Sequence, residues 1–144
     1  MQHSEERLER MIEKLKKNKY RVTPQRIAIL RILASSKDHP SAEWIHKRVK
    51  ADFPTTSLAT VYKTVALAKH LGEVMELGFS DDRNRYDGNN PAPHPHLICV
   101  QCKKILDPDL KTLGQMTSEL ADDTGFQILS HRLDFFGICP QCRK

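Results

Sequence analysis

Through the first seventy residues the apolar side chains recur every three or four positions, the spacing of helices that each bury one face. Leu8, Met11, Ile12 and Leu15 predict an amphipathic helix from about Glu5 to Lys19, with charge on its other face. Thr23-Pro24 supplies a capping oxygen and a proline at the first helical position. Ile27, Ile29, Leu30, Ile32 and Leu33 then read as a second helix to about Ser35. Ser41 opens a third through Trp44, Ile45, Val49 and Phe53, closed by Pro54. Thr56-Ser57 caps a fourth, SLATVYKTVALAKHLG, ending at Gly72, where a left-handed residue is expected. The period then changes: Glu73 to Phe79 alternates as a strand, and Arg85-Tyr86-Asp87 predicts its partner. Short helices followed by a two-stranded wing predict a winged helix-turn-helix, whose fourth helix would enter a DNA major groove.

Gly, Asn and Pro gather in DDRNRYDGNNPAP, Asp81 to Pro93, which reads as a linker. Beyond it, HLICV, KILD, a helix near Asp109 to Asp123 and a β-like run FQILSHRLDFFGIC predict a small α/β unit. The expected architecture is therefore mixed α/β (α+β), with a winged-helix domain over residues 1–84, a hinge over 85–93 and a second domain over 94–144. Charge divides at the same place. Of the net +5, residues 1–80 hold 15 basic and 9 acidic side chains, and residues 81–144 hold 8 and 9. A basic first half joined to a near-neutral second half suits a polyanion-binding module attached to something with a different task. The charged N-terminal stretch and the absence of any apolar run near 18 residues argue against export and membrane spanning, so a cytoplasmic protein is expected.

Cys99 and Cys102 form one Cys-x-x-Cys pair, Cys139 and Cys142 another, with 36 residues between them. Each spacing lets two thiolates face one ion, and two such knuckles complete a closed tetrahedral site of the structural zinc (Zn2+) type. Disulfides are disfavoured without a secretion signal, and four thiolates also suit an iron–sulfur cluster. Upstream stands His94-Pro95-His96, whose i and i+2 imidazoles share one face of an extended segment and can reach a single ion. Spacing alone supports only that pair as ligands.

Six blocks, RVTPQR (Arg21–Arg26), DHPSAEWI (Asp38–Ile45), SLATVYKTV (Ser57–Val65), NRYDG (Asn84–Gly88), HPHLICVQCKKILD (His94–Asp107) and HRLDFFGICPQC (His131–Cys142), occur in order along the chain. Together they resemble the ferric uptake regulator (Fur) family of bacterial metal-dependent repressors. The resemblance implies an N-terminal winged helix hinged to a C-terminal α/β dimerisation domain. It also implies a structural zinc site at Cys99, Cys102, Cys139 and Cys142, and a regulatory metal site at His39, Asp87, His94, His96 and Asp107. Three nitrogens and two carboxylate oxygens favour Fe2+, Mn2+ or Zn2+ and leave an octahedral position open.

Within the family, Asp107 stands where iron sensors usually carry Glu and the peroxide-sensing PerR branch usually carries Asp, and Asp87 also matches that branch. A further site of many iron sensors would need ligands where this chain has Pro93, Pro95, Gly114 and His131. Only His131 can ligate, so that site is not expected. The implied protein is a homodimeric repressor on a palindromic operator, sensing peroxide through Fe2+-dependent oxidation of a ligand, His39 or His94. The alternative is a repressor governed by reversible iron, manganese or zinc binding. By the same resemblance Tyr62 and Lys63 would meet base edges or methyls, Arg21 a minor groove, and Ser57 and Thr60 phosphates. A metalloenzyme would need an acid/base pair and a substrate motif beyond these ligands, and neither is present in the sequence. A zinc-stapled interaction protein would bind DNA without regard to Fe2+ or Mn2+.

Overall fold

Three short side-chain oxygens set where helices begin in the first of two compact units. The computed structural model describes residues 2–78 and 84–144, which divide into units Met1–Pro91 and Ala92–Lys144. Thr23 accepts a hydrogen bond from the Arg26 amide and starts α2 (Pro24–Ser35); Ser41 accepts from Trp44 and starts α3 (Ala42–Val49). Ser57 accepts from Thr60 and starts α4 (Leu58–His70). Each oxygen satisfies an amide that the first turn leaves without a partner. Ahead of them lies α1 (Gln2–Lys17), three residues longer at its start than the apolar spacing predicts. Gly72 takes the left-handed conformation (φ 77°) that ends the fourth helix region.

Leu8, Met11 and Leu15 of α1 pack with Ile29, Leu30 and Leu33 of α2, Ile45 and Val49 of α3, and Val61 and Val65 of α4 in one core. The wing follows as β1 (Met75–Leu77) and β2 (Arg85–Asp87), antiparallel with Glu76 opposite Tyr86. So β2 belongs to the first unit although its residues fall in the expected hinge. Two expectations change here. The third helix stops at Val49 rather than reaching Phe53, because the chain turns through residues 50–53 and folds the Phe53 amide back onto the Val49 carbonyl (2.9 Å). The wing strand does not begin at Glu73, which is buried beneath α1. Phe79, its expected end, and Asp81 to Arg83, the start of the expected linker, lie outside the described residues.

In the second unit, β3 (His96–Cys99) is central, flanked by β4 (Ile105–Leu106) and β5 (Asp134–Gly137). β4 runs antiparallel to β3; β5 runs parallel, pairing His96 with Asp134 and Cys99 with Gly137. Between β4 and β5 lies α5 (Leu113–Thr124), which starts four residues later than expected and has no buried residue. The β-like run FQILSHRLDFFGIC yields a strand only at Asp134–Gly137. Its earlier part makes no ladder, and Phe126 and Leu129 are 72% and 85% exposed. Among the described residues no helix is long and apolar enough to cross a membrane.

Candidate metal centres and nucleic-acid face

The parallel register of β3 and β5 brings the two cysteine knuckles together. The first turns at Lys103, in the left-handed region (φ 66°), where its amide donates to the Cys99 carbonyl (2.9 Å). In the second, the amides of Cys142 and Arg143 both donate to the Cys139 carbonyl (3.0 Å each). All four cysteines are free thiols, and their sulfurs lie within 4.8 Å of one another, Cys102 and Cys139 at 3.7 Å. Amides of Cys102 and Cys139 point at the Cys99 sulfur (3.5 and 3.4 Å). Those two hydrogen bonds, first from Cys102, pull the Cys99 thiol down to about 6. The Cys142 thiol, by contrast, is pushed up to about 12, chiefly by its hydrogen bond with Cys139. Four sulfurs crowded this closely are the donor set a soft or borderline dication draws together, and four thiolates in a closed cluster fit a structural zinc ion.

On the first unit, His39 and Asp87 are brought together by loop-to-strand pairing. His39 sits in the left-handed region (φ 54°), uncommon for a residue with a side chain. The Arg85 side chain donates to the His39 carbonyl, and the Tyr86 amide donates to the Pro40 carbonyl (3.0 Å), fastening the loop to β2. As a result His39 Nε2 stands 3.3 Å from Asp87 Oδ2, both side chains almost fully buried. Asp87 Oδ1 accepts from the amides of Asn89 and Asn90 (3.0 and 2.8 Å), so its other oxygen is the one turned to His39. The turn is clamped from behind: Asn89 donates to the Ala34 carbonyl, and Arg7 of α1 donates to the Gly88 carbonyl (3.0 Å). A side chain at Gly88 would meet Leu33 at 2.9 Å, so only glycine lets the strand end lie this close to α2.

On the second unit, His94 Nε2 and His96 Nε2 stand 3.5 and 3.7 Å from Asp107 Oδ1. Their rings are 4.4 Å apart, and the ligating atoms of the three residues lie within 4.8 Å of one another. His94 Nδ1 faces the Ala92 carbonyl at 2.7 Å; a carbonyl only accepts, so Nδ1 carries a proton and Nε2 is the nitrogen turned to Asp107. Two imidazole nitrogens and a carboxylate converging in this way suit a borderline or hard divalent ion. Local spacing marks neither of two further residues around these groups. Asp134 lies against His96, and Arg7 braces the turn after Asp87. Both contacts join segments far apart in the chain, and no local pattern marks them.

On α4, Tyr62 and Lys63 are exposed, opposite the buried Val61, Thr64, Val65 and Ala68. Tyr62 donates from its hydroxyl to Glu43 of α3. Ser57 and Thr60, also toward the start of α4, hydrogen-bond each other (2.9 Å). Arg21 is exposed just before α2, its carbonyl accepting from Arg26 (2.7 Å). His131, outside both clusters, is half-buried on the segment leading into β5.

The ferric uptake regulator family model matches residues 17–136. A curated relative, the peroxide-responsive repressor PerR of Staphylococcus aureus, is 39% identical over 142 residues, covering 96% of this chain and 93% of that protein. The ferric uptake regulator Fur of Helicobacter pylori, described as having three functional metal-binding sites, has a similar structure. It has a TM-score of 0.85 at 26% identity, over 98% of this chain and 94% of that one. PerR from Streptococcus pyogenes, described in terms of peroxide sensing and gene regulation, matches at a TM-score of 0.54 and 32% identity, over 94% and 92%.

Proposed function

The chain belongs to the ferric uptake regulator family and is a metal-dependent transcriptional repressor, not an enzyme; from that premise we propose that it senses peroxide. The observation that carries this reading is the 39% identity to a peroxide-responsive repressor along almost the whole chain. The short carboxylates Asp87 and Asp107 among the candidate ligands agree with it. The cofactors are a structural Zn2+ and a regulatory Fe2+ or Mn2+. We assign Cys99, Cys102, Cys139 and Cys142 to zinc, and His39, Asp87, His94, His96 and Asp107 to the regulatory ion.

In this reading His39 and Asp87 contribute one nitrogen and one oxygen from the winged-helix domain, and the other three residues contribute from the dimerisation domain. Holding one ion thus commits both domains together. The protein acts in the cytoplasm as a homodimer, and its two α4 helices read the half-sites of a palindromic operator. Tyr62 and Lys63 meet base edges there, Arg21 enters a minor groove, and Ser57 and Thr60 lie by phosphates. Fe2+ supplies a one-electron reductant for hydrogen peroxide, which Mn2+ does not readily supply. By the family resemblance His39 and His94 are the imidazoles that would be oxidised, and loss of either nitrogen as a ligand would release the domains and the DNA.

Mass spectrometry of Fe2+-loaded protein after hydrogen peroxide tests this directly. A gain of one oxygen on the peptide carrying His39 (Asp38–Lys47) or the one carrying His94 (Tyr86–Lys103), absent in Mn2+-loaded protein, is the expected result. Release of DNA by chelator alone, with neither peptide oxidised, would instead establish a reversible iron or manganese repressor.

A further inference from the structure

We propose that Asp134 is a positioning residue for the regulatory metal: its carboxylate holds the Nδ1 proton of His96 and thereby turns the Nε2 lone pair toward the ion. The proposal rests on His96 being a ligand, as read above, and adds a residue outside that ligand set.

The strand register builds the pair. His96 and Asp134 are partners across the parallel β3–β5 ladder, and the His96 amide donates to the Leu133 carbonyl (3.0 Å), so the two side chains share one face of the sheet. His96 Nδ1 stands 3.3 Å from Asp134 Oδ1, with the imidazole 1% and the carboxylate 11% exposed. The second carboxylate oxygen, Oδ2, accepts from Arg132 Nε at 2.8 Å. The guanidinium fixes the orientation of the carboxylate, and a carboxylate can only accept from an imidazole N–H. Carboxylates face both ring nitrogens, but Asp134 is the nearer and more buried (3.3 against 3.7 Å), so the proton of neutral His96 is drawn to Nδ1 and Nε2 is left on the side of Asp107.

His94 reaches the same state by another route, through the Ala92 carbonyl. The two imidazoles are thus oriented alike by acceptors of different strength, one neutral and one anionic. The anionic acceptor raises the basicity of the ring it holds, so His96 is the stronger nitrogen donor of the pair. Arg132 holds the carboxylate in turn, and all of these contacts lie within the second unit.

The full-length, zinc-loaded protein provides the test. Long-range 15N–1H correlation of the imidazoles at pH 8, before Mn2+ is added, reads the tautomer: His96 is expected with its proton on Nδ1. In Asp134→Ala that proton is expected to redistribute to Nε2, and Mn2+ affinity, read from the free-ion electron paramagnetic signal, to fall about 10–100-fold. Asp134→Asn keeps an acceptor oxygen of nearly the same shape. It should preserve the tautomer but lose part of the affinity, which keeps the test informative if the alanine variant folds poorly. A His96 proton already on Nε2 in the unaltered protein, or wild-type Mn2+ affinity in both variants, would overturn the proposal. Paramagnetic broadening of the His96 ring by Mn2+ reports separately on the ligand assignment. Its absence would remove the regulatory site as read above, whereas broadening with unaffected variants would remove only the role of Asp134.

Discussion

Glu73 illustrates what a single residue can hide from pattern analysis. It looks like the polar first position of a strand, yet it is buried at the end of the α4 region and receives Arg7 (2.7 Å), Lys14 (3.0 Å) and Arg10 (3.1 Å), all from α1. Burial alone would raise its carboxyl, but the hydrogen bonds from Lys14, Arg7 and Arg10 outweigh that and hold it below the ordinary 4.5. A carboxylate with a lowered folded value stabilises the fold above about pH 4.5, and the benefit is lost as pH falls through the lowered value. Glu73→Gln should therefore cost about 3–5 kcal/mol at pH 7, because it strands the buried Arg7 charge. The difference from wild type, measured by denaturant unfolding, should shrink below about pH 4. A constant difference down to pH 3 would mean that packing, not charge, is what the variant loses. Asp134 carries no local signal for the same reason as Glu73: its partner lies 38 residues away in the chain and is set by strand pairing. The metal-ligand residues themselves were legible only where they cluster locally, as at His94-Pro95-His96. His39, Asp87 and Asp107 came from resemblance, not spacing.

Elements were legible where capping chemistry is local. Thr23, Ser41 and Ser57 each cap the helix expected of them, and Gly72 takes the left-handed turn. Elements that depend on distant partners are less legible: the stretch from Phe126 to Arg132 alternates like a strand, but among the described residues no strand pairs with it. The exposed face of α4 carries a prediction at this scale. Its exposed positions Ala59, Tyr62, Lys63 and Ala66 recur at helical spacing, and its opposite face is core. On a duplex selected from a random pool by the Mn2+-loaded protein, Tyr62→Ala and Lys63→Ala should each weaken binding by about 1–3 kcal/mol relative to an unrelated duplex. Fluorescence anisotropy on both duplexes checks this. Equal losses on the two would assign these side chains to the DNA backbone rather than to base edges.

At the scale of the molecule, the second unit has little core to spend. Pro95, Ile98, Cys99 and Ile105 are its buried apolar residues, while α5 and Phe126, Leu129 and Phe136 leave much apolar surface exposed. A unit of this size with so few buried side chains depends on metal and on a second copy for stability. Zinc held by thiolates can supply on the order of 10 kcal/mol of folding free energy. Cys99→Ser should therefore lose zinc and lower the thermal midpoint by more than 10 °C, roughly what a loss of several kcal/mol produces in a domain of this length. Light scattering is expected to show dissociation of the dimer, and a zinc-bound variant of wild-type stability would refute the structural role.

The ladder between β3 and β5 links that staple to the sensor. Cys99 is held opposite Gly137 by the same pairing that sets His96 opposite Asp134, three residues earlier on each strand. Side chains alternate along a strand, so a slip of one residue would send Asp134 to the far side of the sheet from His96. Thiolates closed around zinc forbid that slip. On the ligand assignment proposed above, zinc would thus proofread the alignment that sets His96, and a chain that has not yet captured it could not present that residue correctly. By reciprocity, an ion seated on His96 also tightens the hold on zinc.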